Sequence, residues 1–369
     1  MDKILKVILL PLKILSVLGF ISLVLCYVSP YIHPDTLPIL PFFGLSYPII
    51  IICNLVALVF WTILKSRWAI YSIFMILLGG NLHFRTLAIT FFTAKKRNTE
   101  LKILTYNVRL FDVYNPDFEQ GRNTRNQIFA YLRKENPDVV CMQEFYRQDN
   151  PTRFTTIDSI FAVMGTSIFH ERSAHKQRGR QNFGIALFSK YPMIAKGDVM
   201  FDTQSKEDYN YCIYADIVKN NDTFRVYNIH LQSIRLESDY YNDDPNDPMT
   251  NLANETGLRY LMRKLSLAFH KRASQSRRVA EHVNTSPYST IVCGDFNDTP
   301  MSYTYNQFNR RLVDAFRNTS TGIGATYIGK LPAGRIDYIF HSPDLASYDF
   351  HIQEEELSDH RAISCTISK

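Results

Sequence analysis

The chain has 369 residues, a formal charge of +6 and 46% hydrophobic residues, enough for one large core with an appendage or for two ordinary domains. Its basic excess sits at one end. Residues 1–97 hold nine Lys or Arg against Asp2 and Asp35, a balance of +7, while the remainder is near −1, so the overall charge is no evidence for a basic nucleic-acid surface.

The first apolar run extends from Ile4 to Val28 and contains Lys6, Pro11 and Lys13; the second is Ile39 to Leu64; the third, Trp68 to Phe92, weakens at His83 and Arg85. About 20 apolar residues cross a bilayer, so the second run is the most secure span, and the first and third have shorter clean stretches. Small residues of the Ala-x-Ala kind are absent after the first run, which argues against a cleaved signal peptide. The expectation is an integral, multi-pass membrane anchor over residues 1–94 with about three transmembrane helices, then a linker over 95–100. Lys3, Lys6 and Lys13 mark one side, the loop Ser29 to Pro38 has no basic residue, and Lys65 and Arg67 mark the first side again. Three crossings place the domain beyond the linker on the non-cytoplasmic side. Lys95, Lys96 and Arg97 argue the other way, but a long domain after the last span is translocated largely regardless of charge.

Beyond the linker, short apolar runs of strand length recur at Leu101 to Val108, Val139 to Gln143, Ile185 to Phe188, Cys212 to Ile217, Phe224 to Ile229, Thr290 to Cys293, Asp337 to Phe340 and Ile363 to Ile367. Helical spacing appears over Asn123 to Lys134 and over the basic stretch Thr256 to Asn284. Strands interrupted by helices predict helices packed outside a strand core. Cys141, Cys212, Cys293 and Cys365 each lie in an apolar run and read as small buried hydrophobes. The acidic segment Ser238 to Pro248 reads as a solvated surface loop, Arg178 and Arg180 beside Asn182 as a basic loop, and the basic helix as an ordinary solvated face.

Polar residues recur at the ends of these strands: Asn107, Glu144, His230, Asp295 with Asn297, Asp337, and Asp359 with His360. Singly, each is an unremarked turn or surface residue. Together with their neighbours they form Thr-Tyr-Asn-Val-Arg at 105–109, Met-Gln-Glu at 142–144, Tyr-Asn-Ile-His-Leu-Gln at 227–232, Gly-Asp-Phe-Asn-Asp at 294–298, Arg-Ile-Asp-Tyr at 335–338 and Ser-Asp-His-Arg at 358–361. In this order they resemble the motifs of the endonuclease/exonuclease/phosphatase family, whose fold is that of deoxyribonuclease I. Gly-Ile-Ala-Leu-Phe-Ser-Lys-Tyr-Pro at 184–192 adds to the likeness, which covers residues 101–369. The resemblance implies an α/β fold, a four-layered α/β sandwich with two mainly antiparallel sheets, here preceded by transmembrane helices.

Phosphoester hydrolysis must bring a water to an anionic phosphorus and neutralise charge on the equatorial and leaving oxygens. Hard oxygen ligands suit Mg²⁺ or Mn²⁺. Glu144 is the leading ligand, Asn107 assists it directly or through water, and Asp359 completes or extends the metal site. Asp295 is expected to orient or deprotonate the water, and the Asn297 amide and His360 to contact the phosphate. Asp337 would fix the His360 tautomer, and His230 would be a second phosphate donor or the acid for the leaving oxygen. A histidine at that position resembles the deoxyribonuclease, sphingomyelinase and inositol-phosphatase branches. No His-Glu-x-x-His or Cys/His spacing supports zinc.

The expected activity is a membrane-anchored phosphodiesterase acting on nucleic acid or a phosphorylated head group, with no protein partner called for. A phosphomonoesterase of inositol-phosphate type and a catalytically silent binding module are the alternatives.

Overall fold

The structure is a computed structural model; it describes residues 9–90, 96–149, 152, 154–177, 181–201, 210–234, 255–329 and 334–369. The acidic loop 238–248 and Arg178 and Arg180 lie outside these residues.

The strands are β1 (Glu100–Asn107), β2 (Val139–Gln148), β3 (Ile168–Gln177), β4 (Gln181–Ser189), β5 (Met193–Val199), β6 (Tyr211–Lys219), β7 (Asp222–His230), β8 (Ser289–Asp295), β9 (Val313–Asp314), β10 (Asp337–His341), β11 (Ala346–Ile352) and β12 (Ile363–Ser368). They form two sheets, β11-β12-β1-β2-β4-β3 and β5-β6-β7-β8-β10-β9. Among the described residues each sheet has a single parallel pair, β1 with β2 and β7 with β8, and is otherwise antiparallel.

Both faces of each sheet are covered, which is why the central strands read as continuous apolar runs rather than as alternation. Leu101, Ile103, Val139, Cys141, Ile185 and Leu187 of one sheet meet Ile213, Ala215, Phe224, Val226, Ile291 and Ile339 of the other. The opposite faces of the first sheet, including Leu104, Tyr106, Val140 and Met142, pack on Ile128 and Leu132 of α6 (Phe118–Glu135) and Ile160 of α7 (Thr156–Met164). On the second sheet, Tyr227, Ile229, Val292 and Phe340 pack on Val279 and Val283 of α8 (Glu255–Asn284) and on Tyr305 and Phe308 of α9 (Tyr303–Asn309). The layers run helix, sheet, sheet, helix, as expected.

The N-terminal region holds α1 (Leu10–Val28), α2 (Leu40–Leu45), α3 (Tyr47–Ile63), α4 (Trp68–Leu78) and α5 (His83–Thr86). The first run, not the second, gives the longest apolar helix, and three full spans are not supported. Continued through a 3₁₀ turn, α1 gives 22 residues from Leu10 to Tyr31, and among the described residues it is the one helix long and apolar enough to cross a membrane. The second run is not one helix. It breaks at Ser46 (φ −82, ψ 0), ahead of Pro48, and leaves α3 with 17 residues. The third yields 11 residues in α4. The three helices pack together, with the Trp61 indole N–H donating to Ser16 Oγ at 2.9 Å and the Trp61 and Trp68 rings 5.9 Å apart.

Candidate active site

The two parallel strand pairs put the motif residues side by side. His230 on β7 and Asp337 on β10 are each the register partner of Asp295 on β8, so all three share one level of one sheet. Gly294, at φ +138, has no side chain to collide with the Ile229 carbonyl, which allows β8 this close approach to β7. From the facing sheet, Asn107 ends β1. Glu144 sits in a bulge of β2, between the register positions of Met142 and Phe145, at φ +49. The bulge re-aims the side chain out of the pleat.

Buried amides join the sheets beneath the site. Gln143 Nε2 donates to Asn228 Oδ1 at 2.6 Å and to Thr105 Oγ1 at 2.9 Å, and Asn228 Nδ2 donates to the carbonyls of Met142 and Ala186 at 3.0 and 2.8 Å. The Gln of Met-Gln-Glu and the Asn of Tyr-Asn-Ile-His therefore hold β2 against β7. Sequence reading assigned neither a role, although both belong to the quoted motifs.

Asp295, 1% exposed, is the hub. Its Oδ2 accepts from Asn107 Nδ2 at 3.0 Å and Asn297 Nδ2 at 3.0 Å, and its Oδ1 accepts from the Asn297 backbone N–H at 2.8 Å. His230 Nε2 lies 3.7 Å from Asp295 Oδ2 and 4.0 Å from Glu144 Oε1. His360 Nε2 lies 3.8 Å from Asp295 Oδ2, and its Nδ1 is 3.0 Å from Asp337 Oδ2. Asn107 Nδ2 is also 3.4 Å from Glu144 Oε1. Asn107, Glu144, His230, Asp295, Asn297, Asp337 and His360 thus converge on one buried cluster.

Asp359 is one step removed. Ser358 Oγ lies 3.2 Å from Asp359 Oδ1 and donates to the Asn107 carbonyl at 2.8 Å. Asp359 and Ser358 line a cleft of about 590 Å³ together with Arg109 and Tyr327, whose ring stands edge-on to His360 with centroids 5.1 Å apart. The cleft opens beside the cluster.

Two expected roles look different in this geometry. The Asn297 amide turns inward, donating to the Leu231 carbonyl at 3.1 Å as well as to Asp295, so it holds Asp295 rather than facing the cleft. Asn107 Oδ1 accepts from the Arg109 backbone N–H at 3.1 Å, and its NH₂ faces the carboxylates. In this orientation Asn107 turns its NH₂ to Glu144 and Asp295, while its oxygen already accepts one backbone hydrogen bond.

Burial pushes the Asp295 carboxyl above the ordinary carboxylate range; His360 and His230 oppose this and Asp337 adds to it. Burial alone would lower His360, but the carboxylates of Asp337 and then Asp295 outweigh it and hold the imidazole well above its usual value. Both shifts favour a proton held within this trio.

The basic helix α8 is not an ordinary solvated face along its whole length. Arg272 is 1% exposed, its Nε lies 3.4 Å from Asp298 Oδ2, and its Nη1 donates to the Gln232 carbonyl at 3.1 Å. Arg272 thereby ties α8 to the Gly-Asp-Phe-Asn-Asp turn that carries Asp295 and Asn297. A basic residue within a basic stretch gives no sequence signal of this burial.

The donor chemistry fits a hard divalent cation. Glu144 lies against the Asn107 amide and Asp359 is linked to the Asn107 carbonyl through Ser358; hard divalent ions bind through one or two carboxylates with the remaining positions left to water. Asp295, Asp337 and His360 also offer three ligand atoms within 4.8 Å of one another. The hydrogen bond between Asp337 and His360, and the two amides already on Asp295, occupy lone pairs that an ion there would need.

Comparison with known proteins agrees with this architecture. The profile of the endonuclease/exonuclease/phosphatase family matches residues 104–360, and one described as a domain of unknown function (DUF8431) matches residues 6–86. No curated protein matches. Among solved structures, an endonuclease/exonuclease/phosphatase family protein from Leptotrichia buccalis is 17% identical at a TM-score of 0.51, over 73% of this chain and 100% of its own. Humanised TDP2 from D. rerio and sphingomyelinase C from Streptomyces griseocarneus are each 16% identical at a TM-score of 0.50, over 74% of this chain and 100% of theirs. These likenesses show the fold. With the family profile spanning most of the chain, the protein is a phosphoester hydrolase that belongs to the endonuclease/exonuclease/phosphatase family.

Proposed function

We propose that the chain is a divalent-metal-dependent phosphodiesterase held at a membrane by residues 1–94, with catalytic domain 101–369 on the non-cytoplasmic side. Its substrate is nucleic acid or a phosphorylated head group. The observation that carries the catalytic reading is the hub at Asp295, where groups from β1, β7, β8 and the Ser-Asp-His-Arg turn meet within hydrogen-bonding or close ionic range. Asp295, fixed by Asn107 and Asn297, orients the attacking water and takes its proton. His360, kept protonated by Asp337, donates to a phosphate oxygen, and His230 faces the same space as a second donor. Glu144 and Asp359 are the residues that would hold Mg²⁺ or Mn²⁺. When bound, such an ion neutralises charge on the phosphate oxygens.

The membrane reading is supported by the outward faces of α1, α3 and α4, where Leu15, Leu18, Val56, Ile63, Ile70, Phe74 and Leu77 are all exposed. The sidedness is supported by the packing. Pro30, after α1, accepts a hydrogen bond from Asn306 of the catalytic domain at 2.8 Å, whereas Lys65 and Arg67 sit in the turn between α3 and α4.

The test is a substrate panel with the full chain in detergent and Mn²⁺: duplex DNA, RNA, sphingomyelin vesicles, inositol phosphates and an aryl phosphodiester. Cleavage of a diester in preference to the matching monoester is expected. Monoester cleavage alone would overturn the diester assignment, and no cleavage of any member would overturn the enzymatic one. A reporter fused after Lys369 decides the side.

A further inference from the structure

The N-terminal region is fastened to the catalytic domain through the same segment that carries Asp337. Arg335 is buried at 3% exposure among the rings of Phe316, Tyr338 and Tyr305. One arm of its guanidinium reaches Asp314 Oδ2 at 2.7 Å, and the other donates to the backbone carbonyl of Arg85 at 2.7 Å. That carbonyl belongs to α5, in the N-terminal region. Arg335 is followed by Ile336, whose carbonyl accepts from the Phe296 N–H at 2.9 Å, and by Asp337, the partner of His360.

Other bonds fix the same segment. Arg85 itself is buried, with Nη2 donating to Asn306 Oδ1 at 3.1 Å. Ala88 and Gly322 exchange backbone hydrogen bonds of 2.9 Å in both directions. Thr90 Oγ1 lies 2.9 Å from the Arg317 carbonyl and 2.8 Å from that of Ser320, and Arg317 Nε donates back to the Phe84 carbonyl at 2.9 Å. Removing a buried acceptor strands its donor, so each partner is expensive to lose. A simple tether needs none of these contacts.

We propose that residues 84–90 are a positioning element of the active site, acting through Arg335 on the Asp337–His360 pair. The N-terminal region is then part of the catalytic unit. This inference rests on the proposed phosphodiesterase reading for its kinetic consequences, but not for its structural ones. Arg335 cannot satisfy both arms without the Arg85 carbonyl, and β10 begins two residues beyond it.

The test uses the full chain in detergent with Mn²⁺ and bis(p-nitrophenyl) phosphate. Arg85→Ala and Ala88→Pro disturb the dock without touching any group around Asp295. Arg335→Lys keeps a charge for Asp314 but gives up the two-armed bridge. Each is expected to lower kcat by about 10-fold to 100-fold and to leave KM within about twofold, at temperatures where the variant is folded. Ile323→Ser, an exposed neighbour of the same loop, is expected to match the wild type.

The ring ¹⁵N signals of His360, recorded without metal, give a readout independent of turnover. Arg85→Ala and Ala88→Pro are expected to shift them, and Ile323→Ser to leave them in place. Unchanged kcat and unchanged His360 signals overturn the inference, as does a loss of activity that only tracks the unfolded fraction. If the wild-type chain hydrolyses no phosphoester, the functional reading fails, and the His360 signals still decide the positioning claim.

Discussion

Asp337 Oδ2 lies 3.0 Å from His360 Nδ1, and the far nitrogen of the same ring lies 3.8 Å from Asp295 Oδ2. The imidazole is thereby held between two buried carboxylates, one fixing its orientation and the other sharing its charge.

The first prediction concerns that proton. His360 is held well above the free-histidine value, with burial opposing and Asp337 then Asp295 prevailing. Histidine NMR of the metal-free chain should therefore show the ring keeping its charge to higher pH than an unperturbed histidine does. Because the folded value is the higher one, the stabilisation is fully present below the unfolded value and is lost as pH rises through the folded one. Asp337→Asn should bring the midpoint down and lower kcat on the order of 10²-fold. An unshifted midpoint in that variant would refute the assignment of Asp337.

A second prediction comes from the Arg272–Asp298 pair, whose atoms lie 3.4 Å apart. Burial lowers the arginine's value and raises the carboxyl's, each opposed by the partner. Breaking a buried pair on one side costs about 3–5 kcal/mol because a charge is stranded, whereas replacing both partners costs far less. Urea unfolding should show Arg272→Met strongly destabilised and Arg272→Met/Asp298→Asn largely recovered. Equal losses in the single and double variants would contradict this.

The bridge between the sheets gives a third prediction. Asn228→Leu removes the acceptor of one Gln143 Nε2 N–H, bonded to it at 2.6 Å, and the donor to two carbonyls. A loss of about 2–4 kcal/mol is expected from the unmet polar groups, and activity should fall beyond the unfolded fraction because Glu144 follows Gln143 directly. Full activity in the folded fraction would show that β2 needs no such bridge.

The central strands were legible because both faces are buried. Leu101 and Ile103 face the inter-sheet core and Leu104 and Tyr106 the helices, so apolar residues occupy both faces of the strand. The edge strands gave no such signal. β3 reads Ile-Phe-His-Glu-Arg-Ser-Ala-His-Lys-Gln, β5 carries exposed positions, and β9 has two residues. The break at Ser46 coincides with Gly44 and Pro48, which a reading by hydrophobic length alone passes over. Of the site, the motif residues themselves stand out in the sequence; Asn107, His230, Asn297, Asp337 and His360 lie around Asp295, and Glu144 joins them through Asn107 and His230. The amide orientations of Asn107 and Asn297, the burial of Arg272 and the reach of Arg335 to Arg85 depend on tertiary neighbours that no local pattern encodes.

Hydrolysis of bis(p-nitrophenyl) phosphate by the full chain, stripped of metal by chelation and then titrated with Mn²⁺, tests the shared site most directly. Activity should be absent after chelation and return with Mn²⁺; Glu144→Gln should demand far more Mn²⁺, and Asp295→Asn should lose on the order of 10²-fold or more in kcat at saturating metal. Wild-type turnover in either variant at ordinary Mn²⁺ would mean that Glu144 and Asp295 do not serve one phosphorus centre.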